Sequence, residues 1–126
     1  MEQDIKQVCP RYHHAVELIG RRWTGAILIL LLQGRTRFNE LANCIPDISD
    51  RMLSERLKEL EAEGVVRRIV LPETPVRVEY QLTDKGRSLQ AAVSAISDWA
   101  ESWLAAPDES DSGDQDSADQ QERSSA

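Results

Sequence analysis

Apolar positions change period along this chain, and the changes divide it into elements. Between residues 7 and 19, Val8, Tyr12, Val16 and Ile19 recur at helical spacing, with Pro10 in the first turn, where proline is tolerated. Gly20 interrupts this short helix. Arg21 and Arg22 precede a second helix over about residues 23–33, whose run AILILLL is apolar nearly all round. Such a helix is expected to be buried on most sides, at the centre of the fold, with Trp23 in the core beside it. Gly34 ends it. A third helix, residues 38–44, turns Phe38, Leu41, Ala42 and Ile45 inward, and Pro46-Asp47 leads into a fourth.

The fourth helix lies within residues 47–64, DISDRMLSERLKELEAEG. Leu53, Leu57 and Leu60 make one seam, and Arg51, Ser54, Glu55 and Lys58 fall on the opposite face. Ser49 is the expected N-cap, and Gly64 suits a C′ position with positive φ. Alone, this pattern also fits an ordinary amphipathic helix. A short connection to the third helix makes the pair read as the support and recognition members of a helix-turn-helix. After Gly64 the period becomes two: Val76, Val78, Tyr80 and Leu82 alternate with Arg77, Glu79 and Gln81. Residues 65–71 are the expected partner strand and Pro72-Glu73-Thr74-Pro75 the hairpin loop, a wing flanked by Arg67, Arg68 and Arg77. Thr83 then caps a long final helix, with Asp84 favourably placed near its N-terminus. Its stripe of Leu89, Ala92, Val93, Ile96, Trp99, Ala100 and Trp103 is a candidate dimer face together with the first helix, or else folds back on its own core. The fold class is therefore mainly α with a small β-hairpin (α+β): a dimeric winged helix-turn-helix.

Charge refines the domain limits. The chain has 126 residues and a formal charge of −7, but from Pro107 onward seven acidic residues face one base, Arg123. What remains is nearly neutral, with 14 Lys/Arg against 15 Asp/Glu, so the global charge does not exclude a basic face. Residues 1–8 read as an N-terminal arm, 9–106 as the winged domain with its dimerisation helix, and 107–126 as an acidic tail too poor in apolar residues to fold. No apolar run approaches a membrane span and the first ten residues do not resemble a signal peptide, so a cytoplasmic protein is expected.

Five segments carry a resemblance: CP at Cys9-Pro10, IGRRWT from Ile19, RFNEL from Arg37, ISDRMLSERLKELEAEGVVRR from Ile48 and PVRVEYQLTDKG from Pro75. In this order they resemble the HxlR-type branch of the MarR-like winged helix-turn-helix regulators, over about residues 9–104. Where that family more often has Gly-Lys, this chain has Arg21-Arg22; the acidic tail lies outside the pattern. The resemblance implies a bacterial or archaeal homodimer binding double-stranded DNA at a near-palindromic operator, with one recognition helix per major groove and the wing near the flanking minor groove. Arg51, Ser54 and Lys58 are then candidates for base reading or groove lining, and Glu55 for a cytosine amino group or for repelling wrong approaches. Ser49 would offer its hydroxyl or helix N-terminus to a phosphate. Arg35, Arg37 and Arg77 are phosphate candidates. Arg56, nearer the leucine seam, suits an internal ion pair or a phosphate contact. Arg67 and Arg68 either contribute to the wing's positive charge or pair with Glu79 across the hairpin.

The resemblance also implies that a cysteine in the position of Cys9 senses oxidants, aldehydes or quinones. Cys9 stands at the start of the first helix, near Lys6 and Arg11, a setting that favours the thiolate. A bridge from Cys9 to Cys44 of the other subunit would re-aim the recognition helices; Cys44 also reads as a small half-buried apolar residue. Cys9 with His13 and His14 lacks the spacing of a metal site, and no cofactor is expected. No nucleophilic triad, acid pair or phosphate loop points to an enzyme. The alternative function is a winged-helix protein-interaction module without specific DNA binding.

Overall fold

In a computed structural model of the chain, residues 9–106 are described; the arm, and the acidic tail beyond Ala106, lie outside them. The elements are α1 (Pro10–Ile19), α2 (Thr24–Leu32), α3 (Phe38–Cys44), α4 (Asp50–Ala62), β1 (Val66–Leu71), β2 (Arg77–Leu82), α5 (Asp84–Arg87) and α6 (Gln90–Trp103). They fall into two units divided after Val93. No helix here is long and apolar enough to cross a membrane.

Local chemistry sets the helix ends. The Ser49 hydroxyl accepts from the Met52 amide at 3.0 Å and so caps α4. At the other end Gly64 takes φ +82°, letting the Val65 amide reach the Leu60 carbonyl and the Gly64 amide reach that of Glu61. This paired closure returns the chain sharply into β1. The same closure, with Gly34 at φ +96°, ends α2. Asp47 supplies the positive φ needed in the turn between α3 and α4.

One core joins α2, α3, α4 and the hairpin. Ile27, Leu28, Leu41, Leu53 and Leu57 are wholly buried, with Leu60, Val65, Val66, Tyr80 and Leu82 closing around them. Each such aliphatic side chain contributes about 1.5–3 kcal/mol on burial. Within α2, Ile27, Leu28 and Leu31 are buried and Leu30 and Leu32 pack partly against the core, whereas Ile29 remains 39% exposed.

The hairpin pairs antiparallel from Val66 opposite Leu82 to Leu71 opposite Arg77. A third segment joins it: Arg37 bridges to Glu79, and the Tyr80 amide donates to the Thr36 carbonyl at 2.8 Å. The wing is thereby bonded to the residues that open α3.

The final helix is split. Thr83 caps as expected, accepting from Gly86, but α5 ends after Arg87 and α6 starts at Gln90. The Ser88 hydroxyl occupies the Lys85 carbonyl at 2.6 Å, and the Leu89 amide takes the Gly86 carbonyl instead. That diversion breaks the regular ladder between the two segments.

Candidate nucleic-acid interface

Helix α4 presents two unlike faces. Leu53, Leu57 and Leu60 enter the core, at most 1% exposed, which turns Arg51, Glu55 and Lys58 outward and leaves Ser54 half-buried beside them. Arg51 is held loosely, with its Nε 3.6 Å from Glu55 and its side chain 86% exposed. No ion pair among the described residues includes Lys58. Arg56 is different: it is 9% exposed, donates through Nε to the Arg22 carbonyl at 2.9 Å, and pairs with Glu59 at 3.1 Å. It is an internal ion pair.

Glu59 is shared, its other oxygen lying 3.1 Å from Arg21 Nε. The turn between α1 and α2 is thus fastened to α4 at both of its arginines. It contains Trp23 in the left-handed region, φ +76°, a conformation that costs of order 1–3 kcal/mol in a bulky residue and persists when its surroundings over-determine it. Here the Arg22 guanidinium stacks 4.6 Å above the Trp23 ring while the Arg22 carbonyl is bonded by Arg56. Trp23 itself is partly buried against the core.

The other cationic residues cluster near α3 and the wing. Arg35 and Arg37 are exposed, and Glu40 reaches back to the amides of Thr36 and Arg37 at 3.3 and 3.4 Å. Arg77 is already held by Glu73 at 3.1 Å and Glu79 at 3.5 Å. Glu79 therefore pairs along its own strand rather than with Arg67 or Arg68, which face Gln81 and Tyr80 across the hairpin. Between α3 and the wing lies an open cleft of about 790 Å³, lined among others by Arg37, Asn39, Asn43, Arg68 and Tyr80. The sequence reading did not single out this cleft or the fastening of α1 to α4. A signal for the first existed: Arg68 occupies an apolar register position between Val66 and Val70.

Cys9 and Cys44 are both free and exposed, so Cys44 is not the half-buried residue that its sequence also allowed. Cys9 is the N-cap of α1. The backbone amides of Tyr12 and then Arg11, with a smaller contribution from the Arg11 side chain, hold its thiol below the ordinary value.

Residues 18–108 match the HxlR-like helix-turn-helix family. The chain is 52% identical over 98 residues to the uncharacterized HTH-type transcriptional regulator YvaP of Bacillus subtilis, covering 78% of this chain and 91% of that one. It is 50% identical over 94 residues to the B. subtilis HTH-type transcriptional regulator YodB, covering 75% and 84%. Among solved structures, reduced YodB superposes with a TM-score of 0.70 at 47% identity, over 81% of this chain and all of that one. YodB has also been solved in diamide-treated and quinone-bound forms. The redox regulator HypR in its oxidized form superposes with a TM-score of 0.71 at 39% identity, over 78% of this chain and all of that one. These relatives are regulators rather than enzymes, and the chain belongs to the HxlR-like helix-turn-helix family of transcriptional regulators.

Proposed function

We propose that the chain is a homodimeric repressor that binds a near-palindromic operator and responds to oxidants or electrophiles through Cys9. The observation that carries the DNA reading is α4, whose leucine seam is sunk in the core while Arg51, Ser54, Glu55 and Lys58 lie on its other side. In this reading Arg51, Ser54 and Lys58 line the major groove, with Glu55 beside them. Ser49, Arg35 and Arg37 meet phosphates, whereas Arg77 must first leave Glu73 and Glu79 to do so. Exposed Tyr12 and Val16 on α1, and Ile96, Trp99 and Trp103 on α6, support these two helices as the dimer surfaces.

The lowered thiol pKa and exposure of Cys9 support it as the sensor. YodB solved with quinone and after diamide, and HypR in an oxidized form, supply the chemical class. A quinone would add to the Cys9 thiolate. Alternatively, Cys9 and Cys44 of a second copy would form a disulfide, losing two protons and two electrons to diamide, which becomes the hydrazine.

The test is binding of the full chain to the intergenic DNA upstream of its own gene, at two salt concentrations, with and without diamide. Specific, salt-sensitive binding lost on oxidation and restored by reductant is expected. A Cys9→Ser protein that still loses binding in diamide would remove Cys9 as sensor. Absence of any preference over random DNA, there and in genome-wide site selection, would favour a protein-interaction module.

A further inference from the structure

The hairpin has an inner face and an outer face, set by its register. Val66, Tyr80 and Leu82 point inward and are 2, 8 and 7% exposed. Arg68 stands directly opposite Tyr80, and residues opposite each other in an antiparallel pair share a face. A guanidinium therefore occupies an inner-face position, at the point where the face leaves the core and becomes a wall of the 790 Å³ cleft. Among the described residues it enters no ion pair, and neither does Arg37 at the same cleft. The cleft's two carboxylates are already engaged, Glu40 by the amides that open α3 and Glu73 by Arg77. Asn39 and Asn43 add side-chain donors from α3.

We infer that this cleft seats the phosphodiester backbone of duplex DNA, and that Arg68, rather than Arg77, is the wing's phosphate-binding cation. The inference rests on the DNA-binding reading above and specifies how the wing takes part in it. Charge complementarity selects the occupant: among the described residues Arg37 and Arg68 enter no ion pair, and with Asn39 and Asn43 they line the two walls of an open trough whose third guanidinium, Arg77, is already paired. Because Arg37 belongs to the segment bonded to β2, the two walls are joined through the Arg37–Glu79 bridge and the Tyr80–Thr36 hydrogen bond. The trough therefore does not depend on an order–disorder change to form. Arg77 also lines the cleft, but Glu73 and Glu79 already neutralise it.

The experiment is fluorescence anisotropy of the full chain with a random-sequence duplex of about 30 base pairs, across a salt series. In the wild type, log K should fall linearly with log salt, each phosphate contact contributing about 0.9 to the slope. Arg68→Gln should lower the slope by about 0.9 per protomer and weaken binding at every salt concentration. Arg68→Lys should restore most of the slope, and Arg77→Gln should leave it unchanged. Urea unfolding of each variant checks that the fold is kept. An Arg68→Gln slope equal to wild type, or a loss confined to Arg77→Gln, would overturn the assignment while leaving the DNA-binding reading intact. If Arg68→Gln abolished binding of benzoate but not of the duplex, the cleft would be an effector site and the inference wrong. A wild type without salt-dependent binding would refute the DNA reading and the assignment together.

Discussion

His14 Nε2 lies 3.0 Å from both carboxylate oxygens of Glu63, so the helix that Cys9 caps is tied to the end of α4, the proposed recognition helix. The same residue is held from a third side, its carbonyl accepting from Lys85 Nζ at 2.7 Å. Because the His14 side chain is 64% exposed, solvent screens this tie. A double-mutant cycle of His14→Ala and Glu63→Ala, read by urea unfolding, is expected to give a coupling of about 0.2–1 kcal/mol. Strict additivity would mean that the contact transmits nothing.

Glu59 should matter more than Glu63. It neutralises Arg21 and the buried Arg56, and Glu59→Gln leaves the Arg56 charge facing a neutral amide. Removing one partner of a fully buried pair costs about 3–5 kcal/mol. As Glu59 is a third exposed, the expected loss is about 1–2 kcal/mol, measurable as a lower urea midpoint with unchanged slope.

Gly86 is required by space rather than by φ. A Cβ there would overlap the Val65 carbonyl and press on Leu82 Cδ2 at 2.9 Å. That carbonyl cannot simply withdraw, because it accepts from the Thr83 amide at 3.0 Å. Gly86→Ala should destabilise by about 1–3 kcal/mol, with a corresponding drop in Tm on thermal melting.

Cys9 provides a pH dependence of definite sign. The thiolate is the alkylated form, and the α1 amides lower the thiol pKa in the folded chain. The midpoint of its iodoacetamide reaction against pH should therefore lie lower in folded protein than in urea. Peptide mapping by mass spectrometry reads this site by site, and coincident midpoints would count against the electrostatic argument.

Arg51 tests the base-reading assignment. Its only ion pair among the described residues is the loose contact with Glu55, so little holds it back from a guanine edge. Arg51→Ala is expected to relax preference at one base position by about 1–3 kcal/mol. An equal fall for operator and random duplex would make it a phosphate contact instead.

Periodicity made the leucine seam, the wing and the N-caps at Ser49 and Thr83 legible, because each depends on residues close in sequence. The split of the last helix was not legible: it turns on which carbonyl the Ser88 hydroxyl reaches, and the leucine-tryptophan stripe begins only at Leu89, within the break, and so does not mark it. Nor did any local pattern announce that Thr36 and Arg37 would join the wing, since two residues carry no period. The ties through His14 and Glu59 join positions 49 and 38 residues apart, and the charged faces of two separate helices do not reveal which charges will meet. Arg68 stands between these cases. Its register was readable, but only the structure shows that the inner face opens there into a cleft.

Under the proposed function, the leucine seam also limits how any signal can reach DNA. To rotate or slide α4 within its unit would lift three fully buried side chains out of the core together, at about 1.5–3 kcal/mol each, and would strip Arg56 from its partners. The less costly motion is of the whole winged unit, with α4 as a blade fixed in its handle. In the proposed dimer, a switch would therefore alter the spacing between two blades while leaving each one's edge unchanged. An inactive form should keep the amide-exchange protection of α4.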